Sequence, residues 1–180
     1  MRTEKIRYNR TASERVYITQ LEGYDNDLFV EQILSRGDKQ ERETNVKAQM
    51  TEWNVREPEW HSLCKDIIDN HIFYLSGEID VRWKIVNIWG ASYEKGDWTK
   101  YHAHRPCTFS FCYYPKADIR DSSPLVFPDM QGEKKGYWYS VKPRTGQLVI
   151  FPAYLTHGVP FQKENRGRVV IAGNIIAEYD

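Results

Sequence analysis

Tyr93 to His104 runs Y-E-K-G-D-W-T-K-Y-H-A-H and carries two histidines, His102 and His104, at a spacing of two. Side chains on a β-strand alternate faces, so this spacing puts both imidazoles on one side. A third histidine, His157, follows in F-P-A-Y-L-T-H-G-V. Two imidazoles from one strand and a third from a strand across a barrel make a three-point clamp for a transition metal. Imidazole suits iron, zinc, copper and nickel. Arg168 lies eleven residues beyond His157, at the start of the last long apolar run.

Outward from this stretch the pattern is that of strands. Before it, Val81, Trp83, Ile85, Asn87 and Trp89 share one face of an alternating run, and Arg82, Lys84, Val86 and Ile88 share the other. After it come T-F-S-F-C-Y-Y, ended by Pro115, the Pro-bounded S-S-P-L-V-F-P-D, and G-Y-W-Y-S-V-K-P. A P-R-T-G turn then leads to Q-L-V-I-F, and R-V-V-I-A-G-N-I-I is the last strand. Several short strands separated by Gly and Pro turns predict an all-β sandwich or barrel.

The first 80 residues read as its support. Residues 1–14 are polar and predict a loose arm or an edge segment. Arg15–Leu21 is a β-branched run and predicts a strand. Asp25 or Asn26 caps a helix that Gly37 ends, and Gly37–Lys47 is almost wholly polar, predicting a solvated loop and the most mobile internal piece. Glu57-Pro58 opens a helix whose Trp60, Leu63, Cys64, Ile67, Ile68, Ile72 and Leu75 fall on one stripe before Gly77. His61 and His71 on that helix read as surface or packing histidines rather than ligands. With no repeat and no linker, residues 1–180 predict a single domain: a strand and supporting helices over 1–80, and a β core over 81–177.

Composition excludes several classes. Lysines and arginines number 25 and aspartates and glutamates 25, so the net charge is near zero, which gives no nucleic-acid signal. No run approaches membrane-spanning length and the first residues carry no apolar leader, so the expected setting is cytoplasmic. The three cysteines Cys64, Cys107 and Cys112 form no C-x-x-C pair and read as reduced thiols.

The order of these pieces resembles the Fe(II)/2-oxoglutarate-dependent oxygenases, in the branch around prolyl 4-hydroxylases and related bacterial and phage hydroxylases. The branch pattern is a Tyr, a Gly three residues on, His-x-Asp, a Tyr-Tyr strand, a G-x-L-x-F-P segment leading to a second His, and an Arg on the last strand. This chain offers Tyr93, Gly96, His102, Tyr113-Tyr114, Gly146–Pro152, His157 and Arg168, and the resemblance covers about residues 81–177. It implies a double-stranded β-helix (jelly roll, cupin-like) with the N-terminal helices packed outside. It also implies Fe(II), 2-oxoglutarate and O2, with succinate and CO2 as coproducts of hydroxylating a prolyl-like protein side chain or a small molecule. His102 and His157 would be metal ligands, Arg168 would hold the far carboxylate of 2-oxoglutarate, and Tyr93 or Tyr114 would assist.

The chain departs from the pattern where Asp is expected and His104 stands. Either His104 is the third ligand, giving H-x-H in place of H-x-D, or a carboxylate such as Asp97 or Asp129 reaches in, or iron is not held. Arg166 rivals Arg168 two residues earlier. Of Tyr113 and Tyr114, alternation allows one to face the site. Two other readings stay open: a three-histidine or cupin-type metal dioxygenase without 2-oxoglutarate, and a non-catalytic jelly-roll binding module.

Overall fold

The computed structural model describes residues 4–7, 15–40, 45–77, 81–128, 137–164 and 167–179. The strands are β1 (Glu4–Arg7), β2 (Arg15–Gln20), β3 (Asp38–Gln40), β4 (Val46–Met50), β5 (Arg82–Tyr93), β6 (Trp98–His102), β7 (Phe109–Lys116), β8 (Leu125–Pro128), β9 (Tyr137–Val141), β10 (Gln147–Pro152), β11 (His157–Val159) and β12 (Arg168–Glu178). The helices are α1 (Asn26–Arg36), α2 (Pro58–Asp66), and α3 (Phe73–Ser76), which a π-helical stretch, Ile67–Ile72, joins to α2.

Among the described residues the strands follow the order β1-β2-β10-β7-β12-β5-β4-β6-β11-β8-β9, with β3 on β4. All pairs are antiparallel. The eight strands β5 to β12 form two facing layers: β10-β7-β12-β5 on one side and β6-β11-β8-β9 on the other. That alternation between layers is a jelly roll. Strand β4 pairs with β5 at Gln49 and Met50 and with β6 at Val46 and Lys47, so it passes from one layer to the other and closes that side.

Both faces of the larger layer are buried, which is why its strands read as near-continuous apolar runs. Phe111, Tyr113, Leu148, Ile150, Val169 and Ile171 face outward into a core shared with Phe29 and Ile33 of α1 and with Trp60 and Leu63 of α2. Their alternates Cys112, Tyr114, Val149, Phe151 and Val170 face inward to a second core between the layers. The expected outside helices thus cover the larger layer. Gly90 is where they approach most closely: a Cβ there would lie 2.4 Å from Ile33 Cγ1 and 3.0 Å from the Trp60 ring. Both side chains are fully buried, so Gly90→Ala should lower stability by about 1–3 kcal/mol. Urea unfolding of the variant checks this.

Three sequence expectations are corrected. The single alternating face on β5 does not hold, because Asn87 pairs with Asn174 while Ile85 pairs with Ile175, leaving Val86 as a bulge. One extra residue flips the side chains beyond it. Trp83 and Ile85 therefore pack with Ile88 on the helix side, while Trp89, Ala91 and Tyr93 face the interior. Secondly, Gly37–Lys47 is not simply a loop: β3 and the start of β4 lie in it as an edge hairpin, where a solvent-facing strand tolerates polar residues. Residues 41–44 lie outside the described residues. Thirdly, β11 is the immediate neighbour of β6, not a strand across the barrel, because His157 and His102 are register partners.

The caps behave as read. The Asp25 carboxylate accepts from the Leu28 N–H at 3.0 Å, Pro58 opens α2, and Gly77 closes α3 with φ +67. His71 is buried against Tyr17, whose hydroxyl lies 3.1 Å from His71 Nδ1, and His61 is exposed. Neither joins the interior site. Among the described residues no helix is long and apolar enough to cross a membrane.

Candidate metal centre and anion pocket

Strand β6 delivers His102 and then stops; His104 lies past its end. The expected strand geometry for both residues therefore holds only for His102. His104 is fixed instead by its own N–H, which donates to the Ala153 carbonyl at 2.8 Å, just after β10. The two rings still converge, with Nε2 to Nε2 at 3.1 Å. His157 completes the group: one nitrogen from each of the three rings lies within 4.8 Å of the others. Two nitrogens bound at right angles to one metal, each about 2.1 Å away, stand roughly 3 Å apart, so the His102–His104 separation fits a shared ion.

The hydrogen bonds of two rings prepare them as ligands. His102 Nδ1 lies 2.7 Å from the Lys100 carbonyl, and His157 Nδ1 lies 2.9 Å from the Leu155 carbonyl. A carbonyl can only accept, so each Nδ1 carries the proton and each Nε2 keeps a free lone pair, the arrangement usual for metal-binding histidine. Burial lowers the pKa of His102, and burial together with the neighbouring imidazoles pushes His104 down to about 4 and His157 down to about 3. All three rings are therefore neutral at physiological pH, the form that binds a metal.

Arg168 begins β12 opposite Tyr93 of β5 and is 1 % exposed. Its guanidinium carbon lies 4.6 Å from the centre of the Tyr93 ring and 5.2 Å from that of Tyr114. Nη2 donates to the Tyr114 hydroxyl at 3.3 Å, while Nε and Nη1 have no hydrogen-bond partner among the described residues. Burial raises the pKa of both phenols, so neither supplies a negative charge. A guanidinium cannot shed its proton, and an unpaired buried charge is costly. This side chain is thus a fixed cation with two idle donors. The Tyr93 hydroxyl is engaged elsewhere, 2.6 Å from Thr99 Oγ1. Tyr113 points the other way and donates to Asn26 Oδ1, so Tyr114 is the tyrosine of the pair that turns inward, to Arg168.

One pocket is lined by Trp89, Tyr93, His102, His104, His157 and Arg168. It holds three neutral nitrogen donors for a transition ion and one cation for an anionic group, which is the pair of functions that an Fe(II) and 2-oxoglutarate site needs. Asp97 is spoken for: its carboxylate accepts from the Glu94 N–H at 2.9 Å within a turn, and it is not part of the histidine group. Asp129 and Arg166 lie outside the described residues. Cys112 lines the pocket as a buried thiol whose pKa burial pushes up to about 11, so it is neutral. The sequence reading missed Asn174, Asn87 and Ser110, which stand behind His104. The available signal was an asparagine interrupting the apolar run of β12.

The family model described as "Putative 2OG-Fe(II) oxygenase" matches residues 87–174, a span that contains all three histidines and Arg168. No curated protein sequence matches the chain. Among solved structures the chain is similar to a Pseudomonas putida prolyl-4-hydroxylase, at 17% identity and TM-score 0.63, over 88% of this chain and 91% of that one. It is similar to a viral collagen prolyl hydroxylase from Paramecium Bursaria Chlorella virus-1 in complex with 2OG, at 15% identity and TM-score 0.60, over 88% and 94%. It is also similar to HygX from Streptomyces hygroscopicus with nickel and 2-oxoglutarate bound, at 11% identity and TM-score 0.63, over 89% and 82%. At these identities the likeness is one of fold, and it is the jelly roll described above. The family match over residues 87–174, added to that fold, supports an Fe(II)- and 2-oxoglutarate-dependent oxygenase.

Proposed function

We propose that His102, His104 and His157 hold the iron, that Arg168 with Tyr114 and Tyr93 holds 2-oxoglutarate, and that the enzyme hydroxylates a prolyl-like protein side chain or a small molecule. The observation that carries this reading is Arg168: a buried cation with two unpartnered donors, lining the same pocket as three neutral imidazoles. A dicarboxylate that reaches from the metal to the guanidinium satisfies both ends of that pocket. This also favours the reading over a three-histidine dioxygenase that uses no 2-oxoglutarate, since such an enzyme leaves Arg168 without a counter-charge.

When bound, iron with 2-oxoglutarate and O2 supplies the oxidising chemistry, releasing succinate and CO2. The protein's part is positional. Lys100 and Leu155 carbonyls hold two imidazoles in the donating tautomer. Arg168 offers Nε and Nη1 as donors on either side of Nη2, and either of them with Nη2 makes the planar fork that matches a carboxylate. The Tyr114 hydroxyl, already accepting from Arg168, can donate its own proton to the same carboxylate. The apolar walls, Trp89 and Phe151 among them, exclude water and strengthen these contacts. The substrate kinds are those that solved relatives of the fold bring to mind: one neighbour is named as a collagen prolyl hydroxylase.

His104 is the sharpest test of the ligand set. His104→Asp replaces a nitrogen donor by an oxygen donor, whereas His104→Ala removes the donor. Fe(II) affinity and 2-oxoglutarate decarboxylation should survive in part in His104→Asp, and both should fall more than about 10-fold in His104→Ala. Anaerobic Fe(II) titration and succinate release measure them. An alanine variant that binds iron and turns over like the parent would remove His104 from the ligand set.

A further inference from the structure

Three polar side chains stand behind His104 that the reading above does not use. Asn174 of β12 is 3 % exposed, Asn87 of β5 is its register partner, and so is Ser110 of β7. The bulge at Val86 sits next to this group, in the register shift that separates the Asn87–Asn174 pair from Ile85–Ile175. Asn174 Nδ2 lies 2.8 Å from Asn87 Oδ1 and 3.4 Å from His104 Nδ1, and Ser110 Oγ lies 2.7 Å from Asn174 Oδ1. Unlike His102 and His157, His104 thus faces no carbonyl at Nδ1 among the described residues. It faces an amide.

An amide can present either end, because its oxygen and nitrogen have nearly the same shape. With Nδ2 toward His104, Nδ1 of the neutral ring accepts and the proton sits on Nε2, where it meets His102 Nε2 at 3.1 Å. That ring has no lone pair for a metal at Nε2. With Asn174 and Asn87 turned over together, every partner is kept. Asn87 Nδ2 donates to Asn174 Oδ1, Asn174 Nδ2 donates to the Ser110 oxygen, and Asn174 Oδ1 accepts from His104 Nδ1–H. A hydroxyl can play either role, so Ser110 permits both arrangements. In the second arrangement alone, His104 Nε2 carries a free lone pair directed toward His102 and His157.

We propose that Asn174, backed by Asn87 and Ser110, is the positioning residue that keeps the His104 proton on Nδ1 and so makes Nε2 a metal donor. This rests on the reading of His104 as the third ligand. The amide pair takes the place that the Lys100 and Leu155 carbonyls take for the other two rings.

The test uses Co(II) alone as probe, with its visible d–d spectrum and its dissociation constant as readouts, and thermal unfolding without metal as a control. Asn174→Ala should weaken Co(II) binding about 10- to 100-fold, the usual loss for a group that orients a ligand, and alter the spectrum. Asn174→Asp should match or exceed the parent affinity, because a carboxylate only accepts and can take the three donors from Ser110, Asn87 and His104. In a His104→Ala background, Asn174→Ala should cause no further loss. Equal losses in Asn174→Ala and Asn174→Asp, or a further loss in the His104→Ala background, would reduce Asn174 to a strand-packing residue and overturn the proposal. Should Asn174→Ala fail to fold, Asn87→Ala leaves Asn174 in place without its backing; a parent-like affinity and spectrum there would also overturn it. Failure of the underlying reading looks different: His104→Ala itself would then bind Co(II) like the parent.

Discussion

His157→Ala is expected to weaken Fe(II) binding by more than about 100-fold while leaving the β-rich circular dichroism spectrum unchanged. The loss exceeds the range for groups that merely orient a ligand, because a donor atom disappears from the coordination shell. His157 is 6 % exposed and its Nδ1 proton is committed to the Leu155 carbonyl, so Nε2 is its one available function. The fold should tolerate the change, since it removes no backbone pairing of β11. His102→Ala should behave alike, because His102 is the register partner of His157 and has the same carbonyl arrangement. Anaerobic equilibrium dialysis against Fe(II) checks both. Stoichiometric iron retained in either variant would take that residue out of the proposed clamp.

Arg168→Met should abolish tight 2-oxoglutarate binding and leave Fe(II) affinity within a few-fold of the parent. Truncating one member of a buried, hydrogen-bonded charge pair costs about 2–5 kcal/mol, which is roughly 30-fold to several thousand-fold in affinity. Met keeps most of the volume of the Arg stem, so packing against the Tyr93 and Tyr114 rings is preserved. It also removes a buried charge whose Nε and Nη1 have no protein partner. The variant should therefore unfold at a temperature no lower than the parent in the absence of 2-oxoglutarate, and should lose the stabilisation that 2-oxoglutarate gives the parent. Arg168→Lys should fall between, because an ammonium keeps the charge but not the fork. Thermal unfolding with and without 2-oxoglutarate separates these cases. A parent-like shift in Arg168→Met would place the cosubstrate carboxylate elsewhere.

The parts of this structure that were legible in the sequence are those set by local periodicity. The apolar runs around Cys112, Val149 and Val170 read as strands because both of their faces are buried, between the helices on one side and the second layer on the other. Pro58 and Gly77 marked the ends of the helical region because each has a backbone reason to be there. The order of Tyr93, His102, Tyr114, His157 and Arg168 pointed to one pocket; Tyr93, His102, His157 and Arg168 line it, and Tyr114 reaches it through its hydrogen bond with Arg168. What was not legible depends on register. The bulge at Val86 is one residue in a run that otherwise alternates, and no side chain there announces it. Without it Asn87 would share a face with Trp83 and Ile85, and its place beside Asn174 behind His104 is hidden. The polar sequence before Val46 concealed β3 and β4 because an edge hairpin needs few apolar residues. His104 was read onto the strand of His102 by its spacing, whereas a hydrogen bond to Ala153, nearly fifty residues away in sequence, holds it there.

The most direct measurement is an anaerobic Fe(II) titration of the intact protein with and without 2-oxoglutarate, followed by visible absorption. Three neutral imidazoles beside one idle guanidinium predict that iron binds at one equivalent and that 2-oxoglutarate then brings up the charge-transfer band of a chelated ternary complex, a band that Arg168→Met shows only at much higher 2-oxoglutarate concentration. One equivalent of bound iron with no such band at any 2-oxoglutarate concentration would contradict the account.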